Sequence, residues 1–124
     1  MIIKESAENY LEAILMIGKQ KGYVRSIDVA NELNFTKPSV SVAMKNFRED
    51  GYINVDCDGN ITLTEKGLKI AERVYERHQL IASVLISLGV DRDIAYEDSC
   101  KIEHDLSEET FTKIKEFYEQ QIKN

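Results

Sequence analysis

One run of thirteen residues limits the folds open to this chain more than any other. Tyr52 to Thr64, YINVDCDGNITLT, leaves the helical period that dominates the rest of the sequence. It reads as two short β-type runs, Tyr52–Cys57 and Asn60–Thr64, around Asp58-Gly59, a hairpin turn signal. Immediately before it stand two short helical patterns separated by a tight turn. A two-strand hairpin that follows a helix–turn–helix is the layout of a winged helix.

The helical patterns can be bounded. A first helix covers about Lys4 to Lys19, with Ala7, Tyr10, Leu11, Ile14, Leu15 and Ile17 tracing an apolar stripe. Ser26 is a good N-cap for a second, in which Ile27, Ala30 and Leu33 follow at helical spacing, ending near Asn34. Thr36 or Lys37 can cap the third. Pro38 sits in its first turn, where a missing N–H costs nothing, and Gly51 ends it as a C′ residue. Val40, Met44 and Phe47 face inward, leaving Ser39, Ser41, Lys45 and Arg48 outside. Beyond the hairpin a long helix opens at Thr64 and runs to Leu88 before Gly89. Its 24 or so residues span roughly 36 Å, enough to link two lobes. A fifth helix is predicted over Arg92–Asp105, capped by Asp91, and a sixth over Glu108–Gln121, capped by Ser107.

Composition narrows the function classes. No apolar run approaches the roughly 18 residues of a membrane span, and the start, MIIKES, lacks a signal-peptide pattern. Two cysteines, Cys57 and Cys100, make no disulfide framework, which favours a reducing cytoplasm. A net charge of −6 argues against nucleic acid until its distribution is considered. Lys21 to Arg48 carries five basic and two acidic residues, whereas Asp91 to Asn124 carries ten acidic and five basic. A basic segment in an acidic chain implies two tasks in two places. In a helix–turn–helix the second helix enters the major groove and its N-terminal residues meet base edges. That end offers Thr36, Lys37, Ser39 and Ser41. Lys45 and Arg48 suit backbone phosphates.

The acidic half holds a second constellation. Cys100, Glu103 and His104, in DSCKIEHDLS, are spaced i, i+3, i+4, within an arc of roughly 100° on a helix. Asn9 and Glu12 share one face of the first helix, and His78 lies within the long one; His78 and His104 are the two histidines of the chain. Imidazole, thiolate, carboxylate and amide oxygen together suit a divalent transition metal. One by one the same residues are ordinary: a satisfied helical histidine, a buried thiol acting as a small hydrophobe, surface glutamates.

SAENYLEAI, SVSVAMKNFREDGYI, LTEKG, ERHQLIASVLISLGVD and CKIEHDLS, in that order along the chain, resemble the diphtheria toxin repressor and manganese transport regulator family. The resemblance implies a mostly α fold: an N-terminal winged helix–turn–helix with a two-strand wing, residues 1–64, and a C-terminal helical metal-binding and dimerisation domain, residues 65–124. It implies a cytoplasmic homodimer that binds Fe²⁺ or Mn²⁺, with Zn²⁺, Co²⁺ or Ni²⁺ as in vitro substitutes. Such a dimer binds double-stranded operator DNA and represses metal-uptake or metal-homeostasis genes. Asn9, Glu12, His78, Cys100, Glu103 and His104 fall at its metal-site positions. Thr36, Pro38, Ser39, Ser41 and Val42 fall at operator-facing positions, and Ser26 near a phosphate. Cys100 is similar to the iron-responsive branch, which has Met where this chain has Asn9. Ala82 and Tyr96 stand where that branch has a Glu and a His of a second site. A metal-independent winged-helix regulator sensing a small molecule is the alternative, and a small metalloenzyme a more distant one, for want of a base beyond the ligands themselves.

Overall fold

The computed structural model describes residues 5–122, with side chains described over 7–121. The chain divides into two compact units, Met1–Arg73 and Val74–Asn124. The fold is mostly helical, with one two-strand antiparallel sheet among the described residues.

The first unit contains α1 (Glu5–Lys21), α2 (Ser26–Leu33), α3 (Lys37–Glu49), β1 (Ile53–Val55), β2 (Ile61–Leu63) and the first nine residues of α4 (Glu65–Ser87). The predicted start of α1 at Lys4 lies outside the described residues. The predicted stripe is the one that is buried: Tyr10, Leu11, Ile14 and Ile17 join Val29 and Ala30 of α2, Val40 and Met44 of α3, Ile53 and Ile61 of the strands and Ala71 of α4 in one core. Each fully buried aliphatic side chain contributes about 1.5–3 kcal/mol. The Tyr10 ring meets those of Phe35 and Phe47 at centroid distances of 5.5 and 5.6 Å, and Phe47 in turn meets Tyr52. This aromatic chain ties α1, α3 and the base of the hairpin together.

Capping chemistry sets the helix boundaries, in one case differently from expectation. Ser26 is the first helical residue of α2 rather than its cap, which is Arg25. The Asp28 carboxylate accepts the Arg25 backbone N–H at 3.0 Å and the Lys21 ammonium at 2.8 Å, so the helix start is secured from its third residue rather than by a serine cap. Asn34 closes α2 in the left-handed conformation, φ 59°. Thr36 caps α3 as predicted, its hydroxyl accepting the Ser39 N–H.

The strands are shorter than the predicted Tyr52–Cys57 and Asn60–Thr64. Ile53 pairs with Leu63 and Val55 with Ile61, after which the Asp56 carboxylate takes over. It accepts the N–H groups of Asp58 and Asn60, both at 2.9 Å, and Gly59 turns the chain at φ 83°. On the far side of β2, Val24 holds the edge: its carbonyl accepts Ile61 N–H and its own N–H donates to Asn60 Oδ1.

Gly67, in the first turn of α4, lies against the Tyr52 carbonyl. A Cβ at this position would stand 2.1 Å from that oxygen. Thr64 completes the junction by donating its hydroxyl to Gly51 O and accepting Gly67 N–H.

The second unit contains the remainder of α4, α5 (Arg92–Ile102), α6 (Glu108–Phe117) and a π-type turn, Tyr118–Ile122. Asp91 and Ser107 cap α5 and α6 as predicted. α4 ends at Ser87, one residue before the predicted Leu88, and Gly89 follows at φ 101°. α5 was expected to continue to Asp105, but it stops at Ile102. Glu103 N–H still reaches Ser99 O, while Asp105 N–H bonds Ile102 O three residues back, tightening the chain into a turn. Ser107 must then be extended (ψ 161°) to cap α6, and acidic residues at 103 and 105 gain nothing from a helix C-terminus.

Candidate nucleic-acid interface and metal centre

In the first unit, α3 shows one continuous polar face. Thr36, Lys37, Pro38, Ser39, Ser41, Val42, Lys45 and Arg48 are all exposed, and Ser26 at the start of α2 is half-buried. Ser26, Ser41, Lys45 and Arg48 line a single surface depression together with Val55 of the wing. The start of α2, the polar face of α3 and the hairpin therefore share one surface. Among the described residues Lys45 and Arg48 enter no ion pair, so their charge is available to an anion. Val42 is 61% exposed, and its methyl groups suit contact with a thymine methyl. Thr36 is partly committed already, because its hydroxyl donates to Ser39 Oγ at 2.8 Å while capping α3.

In the second unit, His78 on α4 and Glu103 just beyond α5 offer ligand atoms within 4.8 Å of one another. His104 Nε2 lies 3.5 Å from Glu103 Oε1, and both side chains are nearly inaccessible, 4% and 1% exposed. The turn that ends α5 keeps Glu103 in helical conformation (φ −57°, ψ −31°), so the i, i+3, i+4 order is retained across the helix end. Cys100 is half-buried on the last turn of α5. Among the described residues it is not part of a three-ligand group with His78 and Glu103.

His78 is oriented by its surroundings. Its Nε2 lies 3.1 Å from the Tyr96 carbonyl, and the Tyr96 ring meets the imidazole edge-on at 5.7 Å. A carbonyl can only accept, so the contact is a hydrogen bond in which a protonated Nε2 donates. This is the arrangement of an imidazole prepared as a ligand, with its second nitrogen held by a backbone oxygen. Tyr96 is itself tethered through its hydroxyl to Gln79 Oε1, and its carbonyl also accepts the Ser99 hydroxyl. Sequence reading did not find this role, because every residue carries a carbonyl and nothing in the side chain marks the one that is used.

Two more of the predicted donors stand on α1, in the first unit. Glu12 is buried, 5% exposed, and Asn9 is half-buried. Buried carboxylates are costly unless they are paired or coordinate a cation. Within the second unit, the Glu103 carboxylate and the imidazoles of His78 and His104 are donors of the types that suit a divalent transition metal.

Residues 3–60 match the model of the iron dependent repressor, N-terminal DNA binding domain, and residues 64–121 that of the iron dependent repressor, metal binding and dimerisation domain. Over 119 residues the chain is 34% identical to an uncharacterized HTH-type transcriptional regulator of Methanocaldococcus jannaschii, covering 94% of this chain and 95% of that one. The chain belongs to the iron-dependent repressor family. Another relative is the HTH-type transcriptional regulator MntR of Lysinibacillus sphaericus, 35% identical over 109 residues, which are 88% of this chain and 78% of that one. Among solved structures, T. acidophilum IdeR superposes with a TM-score of 0.81 at 26% identity. The match covers 96% of this chain and 55% of IdeR, so the chain spans about half the length of that structure. As a member of the iron-dependent repressor family the chain is a metal-dependent transcriptional regulator rather than an enzyme, with a DNA-binding domain followed by a metal-binding and dimerisation domain. No described helix is long and apolar enough to cross a membrane.

Proposed function

We propose that the chain is a cytoplasmic, homodimeric repressor of metal-uptake or metal-homeostasis genes, switched on by Fe²⁺ or Mn²⁺. In this reading residues 1–64 bind operator DNA and residues 65–124 bind metal and dimerise. Asn9, Glu12, His78, Cys100, Glu103 and His104 are the ligands. The observation that carries the proposal is the pairing of a buried carboxylate, Glu103, with the imidazole of His78, whose Nε2 faces the Tyr96 carbonyl.

A bound divalent ion supplies the positive charge that lets these carboxylates and a Cys100 thiolate share one site. The residues of the chain supply the rest. His78 and His104 contribute neutral nitrogens, Glu12 and Glu103 contribute charge, and Asn9 contributes an uncharged amide oxygen. Cys100 shifts the preference toward iron, as a soft donor does. Because ligands come from α1 as well as from α4 and α5, metal favours one arrangement of the chain over others, and DNA affinity shifts with that population. Ser26, Thr36, Lys37, Pro38, Ser39, Ser41, Val42, Lys45 and Arg48 form the operator-facing surface, with the two cations at the end of α3 on phosphates.

The test uses duplexes enriched from a random pool in the presence of Mn²⁺. Binding is measured with Mn²⁺, with Fe²⁺ under anaerobic conditions, and with chelator. Tight binding only with metal is expected, and His104→Ala should lose the response while remaining helical. Equal affinity with metal and with chelator would sink the metal gate.

A further inference from the structure

Arg77 precedes His78 in α4, and its side chain reaches the turn that carries Glu103 and His104. One terminal nitrogen donates to the Leu106 carbonyl at 2.6 Å, and the other lies 3.9 Å from Glu108 Oε2. The guanidinium stands over the Phe111 ring, 5.0 Å from its centroid. The side chain is only 11% exposed, and its Nε is buried with no hydrogen-bond partner among the described residues. An apolar residue would fill this space without that desolvation cost. What only a planar guanidinium provides is simultaneous donation to a backbone oxygen and stacking on a ring.

The neighbouring contact differs. Glu76 and Lys115 also join α4 to α6, at 2.8 Å, but both side chains are about half exposed and their bond is to each other, not to the backbone of the 103–107 turn. Leu106 lies between Glu103 and His104 on one side and the cap Ser107 on the other. Holding its carbonyl to α4 therefore fixes how far those two side chains can drift from His78, the next residue along that helix.

We propose that Arg77 is a positioning residue for the metal centre, setting the 103–107 turn at the distance from His78 that ligation requires. The inference rests on the metal-site reading above. It gives the arginine of the R-H pair in ERHQL a task of its own, namely shaping a site in which it is not a ligand.

Two readouts test it on the whole chain. In the metal-free protein, hydrogen exchange at the amides of Glu103 and Asp105 should quicken at least tenfold in Arg77→Met, while exchange in the α1–α3 core stays at the parent rate. In a titration with Mn²⁺ followed by the paramagnetic signal of the unbound ion, Arg77→Met should weaken binding about 10- to 100-fold, the usual range for residues supporting ligands. Arg77→Lys, which keeps a donor, should recover part of the loss. Glu76→Gln should bind as the parent does. If Arg77→Met fails to fold, Arg77→Gln takes its place with the same expectation. Affinity within twofold of the parent, parent-like exchange in the turn, or an equal loss in Glu76→Gln each overturns the assignment. A parent chain that binds no Mn²⁺ overturns the metal-site reading itself, and the exchange measurement then reports separately on the turn.

Discussion

Gly67→Ala and Gly18→Ala set two physical effects against each other. Both glycines lie within helices, where Ala is favoured over Gly by about 1 kcal/mol. At Gly18 a new Cβ would find only Val24 Cγ2, at 3.6 Å, an ordinary contact. That substitution should stabilise the chain by about 0.5–1 kcal/mol. At Gly67 the new Cβ would stand 2.1 Å from Tyr52 O and 3.0 Å from Tyr52 C. The obstacle is backbone, so relief requires α4 or the base of β1 to move by about 1 Å. Such overpacking costs about 1–3 kcal/mol. Near the helix start the propensity gain is smaller than in the interior, so the clash wins and the sign reverses. The movement also loosens the Thr64 hydroxyl bond to Gly51 O and the seating of Lys66 over the Tyr52 ring, at 4.3 Å. Urea unfolding followed by helical circular dichroism measures both variants. With a slope of about 2 kcal/mol per molar, a 2 kcal/mol loss lowers the midpoint by about 1 M. A Gly67→Ala midpoint at or above the parent's would refute the close approach of α4 to Tyr52.

Two further outcomes follow from the DNA face and its support. Lys45→Ala should weaken duplex binding at every sequence and reduce the slope of log affinity against log salt by about 1, the signature of one lost phosphate contact; an unchanged slope would remove Lys45 from the interface. The hydrogen bond from Lys21, aided by the Arg25 backbone N–H, holds the Asp28 carboxyl below the ordinary carboxylate range. A depressed folded value means that the stabilisation is present above the unfolded value and lost as pH falls through the folded one. The parent should therefore be more stable than Asp28→Asn above about pH 4, and the gap should close as the solution is acidified below that. Melting both proteins between pH 2 and 7 checks this, and a gap that does not vary with pH would contradict it.

The parts of the fold that were legible in the sequence are those settled by neighbours along the chain. The α1 stripe buries itself wherever a helix forms, Thr36 and Pro38 announce a helix start, and Asp58-Gly59 announces a hairpin. What escaped depends on contacts across the chain. Ser26 and Asp28 are both suitable residues for the start of α2. Asp28 prevails because Lys21, at the end of α1, secures its other oxygen. The strands are cut short because Asp56 bends back on its own amides. Gly67 could be located in LTEKG, but the carbonyl that demands it lies fifteen residues earlier. For the metal centre, residue type and spacing nominated Asn9, Glu12, His78, Cys100, Glu103 and His104. The carbonyl that orients His78 and the arginine that holds the turn required coordinates.

The end of the wing is a closed circuit. Asp56 satisfies Asp58 and Asn60 and Gly59 supplies the reversal, so the turn shapes itself, and Asn60 ties it to the core at Val24. The register below it is pinned separately, by Ile53 opposite Leu63 and Val55 opposite Ile61. Reach and foundation are thus independent variables. A lineage, or an engineer, can lengthen this hairpin in steps of two residues on each strand and extend its grasp along a duplex, while the packing that holds α3 in place stays as it is.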